Sequence, residues 1–172
     1  MKQMLFGALV ALVVSSAVGS SRAATGDEDA IRQAKDRAEI ETLMWRYVRA
    51  LDTSNAEAYA ATYTPDGQFG SGANATKGRE ALTKMVADLR QRRAQAEANG
   101  ETSPPMYHVI TNPSIEFIDK DRATYEAYWM TVFGAAGQNT PPRVAAAGRE
   151  RDEIVRVNGK WLLKVRDVAP RD

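Results

Sequence analysis

Met106-Tyr107-His108-Val109-Ile110-Thr111-Asn112 is where the hydrophobic pattern of this chain changes period. Upstream, apolar residues recur three and four apart, as on the buried stripe of a helix. From here on they alternate with polar ones, as on a strand with one face against a core. The stretch also holds the only histidine in 172 residues, the one side chain that titrates near neutral pH without special tuning. A lone imidazole on a strand is ordinarily a surface or core residue, so its meaning depends on what the rest of the chain brings to it.

Downstream, the strand pattern runs from Tyr107 to Ile118 and is interrupted at Pro113, which cannot donate to a ladder and predicts a bulge or an edge. Arg122 to Phe133 alternates, with Ala123, Tyr125, Ala127, Trp129, Thr131 and Phe133 on one face. Gly134 to Pro142 reads as a loop. Arg143–Val157 and Trp161–Val168 are two further strands, joined at Asn158-Gly159, the dipeptide suited to a two-residue hairpin turn because both positions accept positive φ.

Upstream, Ile31 to Leu51 is a long helix with Ile40, Leu43, Met44, Tyr47, Val48 and Leu51 on one stripe, and the polar residues 24–30 read as a loose lead-in. Ser54 and Glu57 fit a capping box opening a short second helix to Tyr63. Thr64-Pro65-Asp66-Gly67 reads as a turn, Gln68-Phe69-Gly70 as a brief strand and Ser71–Lys77 as a loop. A third helix spans Arg79 to Glu97, burying Leu82, Met85, Val86 and Leu89, with its last turns in solvent. Three helices and then a meander of about four strands predict an α+β domain. A curved antiparallel sheet wrapped on the helices would leave a pocket for a small molecule between them.

The N-terminus has the layout of a secretory signal: a positive start at Lys2, an apolar run from Met4 to Val14, and small residues around Ser21-Arg22-Ala23. Cleavage near Ala23 is expected, leaving residues 24–172 as one domain in a secreted or periplasmic location. Of 23 basic and 22 acidic residues, the signal removes Lys2 and Arg22. The near-neutral remainder argues against a nucleic-acid partner, and against a membrane partner after cleavage. With no cysteine and one histidine, thiol chemistry is excluded and a transition-metal site is disfavoured.

Several strings together resemble the SnoaL-like branch of the nuclear transport factor 2-like superfamily. They are Arg46-Tyr47-Val48-Arg49-Ala50-Leu51-Asp52, Tyr63-Thr64-Pro65-Asp66-Gly67, His108-Val109-Ile110-Thr111-Asn112-Pro113, Gly148-Arg149-Glu150-Arg151-Asp152-Glu153 and Asn158-Gly159-Lys160-Trp161. They cover roughly residues 32–168. The resemblance implies a cone-shaped α+β fold with a deep pocket, and assembly as a dimer or trimer. It also implies kinship with scytalone dehydratase, hexachlorocyclohexane dehydrochlorinase and bile acid 7α-dehydratase, in which a histidine paired with an aspartate removes a proton and eliminates a neighbouring group. Asp52 and His108 match the dyad positions, Tyr47 matches a tyrosine five residues before the aspartate, and Arg166 matches an arginine near the end of the last strand. Phe69, Trp129 and Thr131 match pocket-lining positions. Glu150 stands where the family usually has tyrosine, so no role passes to Arg149 or Glu150.

The chemistry of the pair is sound: a carboxylate that holds one ring nitrogen as donor leaves the other free to take a proton. Each residue also has a plain structural reading. Asp52 can cap or end a helix, Tyr47 and the three lining residues can be core, and the alternation of the last strand puts Arg166 on the outer face unless that strand bulges. The Arg149–Asp152 charge run reads most simply as a solvated or subunit-facing strand. The expected function is an exported lyase or isomerase that needs no cofactor and acts on a small, largely apolar molecule. A non-catalytic ligand-binding or assembly protein on the same fold is the alternative, and a hydrolase using an Asp–Arg pair is a lesser one.

Overall fold

The computed structural model describes residues 17–135 and 140–170. The expected signal segment lies outside them as far as residue 16. Helix α1 spans Ala17–Asp52, so residues 24–30, expected as a loose lead-in, are helical. Their polarity sets exposure rather than conformation, and the Asp29–Arg32 pair at 3.1 Å is a contact that helical i,i+3 spacing allows. The chain divides into two compact units, Met1–Lys35 and Asp36–Asp172. The fold and site below belong to the second.

Within that unit follow α2 (Ala56–Ala60), β1 (Tyr63–Phe69), a 3-10 turn (Gly72–Asn74), β2 (Thr76–Lys77), α3 (Arg79–Ala98), β3 (Met106–Phe117), β4 (Arg122–Phe133), β5 (Arg143–Val157) and β6 (Lys160–Asp167). The six strands form one sheet in the order β2-β1-β6-β5-β4-β3. The expected meander is present as β3 to β6, but β1 pairs with β6 in parallel, so the sheet is mixed. It is curved and unclosed, with β3 on one edge. Asn158 and Gly159 both take positive φ, 50° and 76°, and join β5 to β6 as the sequence predicts.

The stripe of α1 packs as expected: Ile40, Leu43, Met44, Tyr47 and Val48 are buried against Leu82 and Val86 of α3 and Ala123, Tyr125, Ile154 and Leu163 of the sheet. Burying such side chains is the main favourable term in folding, at ~25 cal/mol per Å². At the far end of the core, buried Asp36 accepts from the Trp161 indole at 3.3 Å and from Arg156. The Arg156 guanidinium lies 4.3 Å above the Trp161 ring, so α1, β5 and β6 are joined by charge and stacking together.

Three local expectations are corrected. Asn55, not Ser54, caps α2, its side chain accepting from the Ala58 N–H at 3.0 Å; Ser54 is in the left-handed region, φ 51°. Thr64-Pro65-Asp66-Gly67 does not end a segment but lies within β1 as a bulge. Tyr63 pairs with Leu163 and Gln68 with Val165, so four residues stand against one. Turn-type residues here supply a kink inside a strand. Between Lys77 and Phe69 the expected loop pairs back through Thr76 as strand β2.

Two irregularities decide what faces the core. In β3 the register slips between Thr111 and Ser114, where Asn112 has φ 54°. Met106, His108 and Ile110 share one face before the slip, and Ile115 and Phe117 continue it after. In β6, Glu153 pairs with Val165 and Ile154 with Leu163, so Lys164 is the extra residue. Leu163 and Arg166 both turn inward as a result. Strict alternation put Arg166 outside; the bulge reverses it, and its side chain is only 3% exposed.

Candidate functional site

The last residue of α1 meets the edge strand of the sheet. Because β3 has a neighbour on one side only, every second N–H along it lacks a ladder partner. Asp52 Oδ1 accepts one of these, the His108 N–H, at 3.0 Å. The same oxygen lies 2.7 Å from His108 Nδ1. An ionised carboxylate only accepts, so Nδ1 carries the hydrogen and Nε2 keeps its lone pair. The side chains are 8% and 17% exposed, sheltered but not sealed. One oxygen thus fixes both the backbone and the ring of His108. The C-terminal end of α1 is also the negative end of its dipole, which favours the imidazolium formed when Nε2 takes a proton.

His108 lines a cleft of about 360 Å3 between α1 and β3, with Met44, Val48, Ile110 and Tyr125 as its apolar wall and Glu41 and Trp45 at its rim. Tyr125 is 3% exposed. Burial first, and the nearby Glu150 second, push its phenol well above the usual range, so it stays a hydrogen-bond donor at any physiological pH. Phe69, Trp129 and Thr131 lie outside this lining. Phe69 packs against the core. Thr131 is paired with His108 across the β3–β4 ladder. The Trp129 indole donates to the carbonyls of Arg149 at 3.1 Å and Val168 at 2.9 Å, pinning the C-terminal residues to the sheet.

Tyr47 and Arg166 are brought to one another rather than to the cleft. The guanidinium is stacked 4.2 Å from the Tyr47 ring centroid. Tyr59 and Tyr63 complete an aromatic cluster, their hydroxyls 3.1 Å apart. Arg166 donates to Asp152 Oδ2 at 2.6 Å and to Glu150. Both carboxylates are buried, which corrects the reading of 149–152 as a solvated or subunit-facing strand for these two residues: Arg149 and Arg151 are exposed, while Glu150 and Asp152 share the inward face with Ile154. That signal was legible, since placing Ile154 in the core forces residues two and four before it to the same face.

Two carboxylates facing one guanidinium leave an excess negative charge in a dry place. Desolvation accordingly raises Glu150 above the usual carboxylate range, against the pull of Arg166. Asp152 is pushed up to about 7 by burial, again opposed by Arg166 and aided by Glu150. Glu150 Oε1, Asp152 Oδ1 and Arg166 Nε have no hydrogen-bond partner among the described residues. Among the described residues, no group of three or more His, Asp or Glu side chains is placed to hold a metal ion.

Helices packed on a curved, unclosed mixed sheet make this an α+β fold of the NTF2-like, cystatin-like kind. Residues 32–167 match the SnoaL-like domain, and the chain belongs to that family. Dehydratases and polyketide cyclases are among its members. The fold is similar to an NTF2-like protein with a cystatin-like fold from Novosphingobium aromaticivorans, at 22% identity and TM-score 0.68, covering 86% of this chain and 90% of that one. It is also similar to a protein from Catenulispora acidiphila in complex with S-DNPA, at 25% identity and TM-score 0.61, covering 77% and 91%. A third similar structure is ActVI-ORFA from Streptomyces coelicolor, at 20% identity and TM-score 0.63, covering 77% and 95%. A search of curated proteins gave no significant match.

Proposed function

We propose that this protein is a lyase or isomerase, exported from the cell, in which His108 removes a proton from an acidic C–H of a small, largely apolar substrate. The observation that carries the reading is the 2.7 Å contact between His108 Nδ1 and Asp52 Oδ1, made by a histidine that lines an apolar cleft. Asp52 sets the tautomer and stabilises the imidazolium; Nε2 takes the proton. The electrons released move toward a carbonyl oxygen of the substrate, where a hydrogen-bond donor offsets the charge. The Tyr125 phenol fills that role in place of Tyr47, because it is the phenol on the lining. Arg166, held by Glu150 and Asp152 through its two terminal nitrogens, lies outside the lining of the cleft. Loss of a group from the next carbon completes an elimination; return of the proton elsewhere completes an isomerisation. Neither outcome calls for a cofactor.

Small-molecule binding is supported by the S-DNPA complex of the Catenulispora relative and by the apolar wall of the cleft. Export is supported by the signal-like layout of residues 1–23. Assembly as a dimer or trimer is supported by the outer face of β3 to β5, where Tyr107, Val109, Tyr128 and Val144 are 39–58% exposed and form a strip that a second copy would cover.

The test is deuterium exchange at acidic C–H positions of β-hydroxy and β-halo carbonyl compounds, followed by NMR in D2O with the purified protein. Catalysed exchange that disappears in His108→Ala supports the reading. Exchange equal in both proteins, or saturable binding of these compounds with no exchange in either, overturns it in favour of a binding protein.

A further inference from the structure

On the other flank of α1 lies a larger cleft, about 560 Å3, bounded by α1, α2 and the start of β6. Its floor is apolar and buried, made by Leu43, Ala50 and Trp161. Its rim carries three cations, Arg46, Arg49 and Lys160, and no acidic residue lines it. None of the three has a carboxylate within ion-pairing distance among the described residues, so each is available to an anionic ligand. Arg49 stands 6.0 Å over the ring of Trp45, an indole left 64% exposed on the ridge between this cleft and that of His108.

Three exposed cations border a concave apolar floor with no acidic residue in the lining, a charge distribution that favours an anionic ligand over a neutral one. A bare apolar ligand would leave them unmatched, and a simple inorganic anion would leave the floor wet. We propose that this cleft is a second binding site, for an organic carboxylate with a flat or extended apolar body. The body rests on Leu43, Ala50 and the face of Trp45, and the carboxylate is met by the forks of Arg46 and Arg49 and by the ammonium of Lys160. The volume suits a ligand of two fused rings or a medium-length acyl chain. The Trp161 indole N–H is already given to Asp36 at 3.3 Å, so that ring contributes surface and no hydrogen bond. The site is independent of the chemistry assigned to His108.

Isothermal titration of the full chain with 2-naphthoate and with decanoate, each against its neutral alcohol, tests this. Saturable binding of the acids is expected, with the alcohols at least about tenfold weaker, as loss of a charge-assisted contact implies. Arg46→Ala combined with Lys160→Ala should weaken the acids by at least about tenfold and leave the alcohols unchanged, and His108→Ala should leave both unchanged. Equal affinity for acid and alcohol, loss of acid binding in His108→Ala, or no saturable binding of either acid would overturn the proposal.

Discussion

At the scale of single residues, Asp52 is asked to do two things with one oxygen, and substitutions separate them. Asp52→Asn keeps an oxygen able to accept the His108 N–H but no longer fixes the ring tautomer. Catalysed exchange should fall by about 10²–10⁴, as loss of a positioned base does, while the midpoint of thermal unfolding stays within ~3 °C. Asp52→Ala should lose activity and also about 1–3 kcal/mol of stability, because the half-buried N–H on the sheet edge loses its partner. Urea unfolding of the two variants checks the split. Tyr125→Phe should reduce the exchange rate by about 10²-fold with binding little changed, whereas Tyr47→Phe should act mainly on stability; kcat and KM measured for both decide between the two phenols.

At the scale of elements, the bulges position the site. A Cβ at Gly67 would lie 2.8 Å from Tyr63 Cβ and 3.1 Å from the Thr64 carbonyl oxygen, neither of which is the end of a flexible side chain. Gly67→Ala should therefore force the β1 bulge open and cost about 1–3 kcal/mol, measured by denaturant unfolding. A strand's sidedness survives only as long as its register. The sequence of β6 alternates without a break, so nothing in it announced that Lys164 would be the extra residue against β5. The bulge at Asn112-Pro113 in β3 was legible because proline removes a donor and asparagine tolerates the left-handed region.

At the scale of the whole molecule, the Arg166–Glu150–Asp152 cluster makes stability depend on pH. Asp152 sits at about 7 when folded against an ordinary 3.8, so between those values the folded chain holds more protons than the unfolded one. Its contribution is complete below about pH 4 and is lost as pH rises toward 7. Urea midpoints should fall across that window, and Asp152→Asn should flatten the fall. Asp66 and Asp119, held below the usual range by Lys164 and by the Asp121 N–H respectively, act only at lower pH. Arg166→Met strands two buried carboxylates and should cost about 3–5 kcal/mol. Replacing all three charges together, with Glu150→Gln and Asp152→Asn, should cost less than the single change. Sedimentation of Tyr128→Lys combined with Val144→Lys tests the outer face of the sheet; dissociation of a native oligomer is the expected result.

Periodicity and turn chemistry in the sequence determined the helices, the four-stranded meander and the Asn158-Gly159 hairpin, because each rests on local rules; the Asp52–His108 pairing was expected only from the family resemblance, carried by motifs whose order survives in one dimension. The side of Arg166, the choice of Tyr125 over Tyr47 at the cleft, and the meeting of Arg46, Arg49 and Lys160 on one cleft were decided only by tertiary structure. Register slips and the meeting of distant segments depend on how strands pair and pack. No pattern within one segment contains that information.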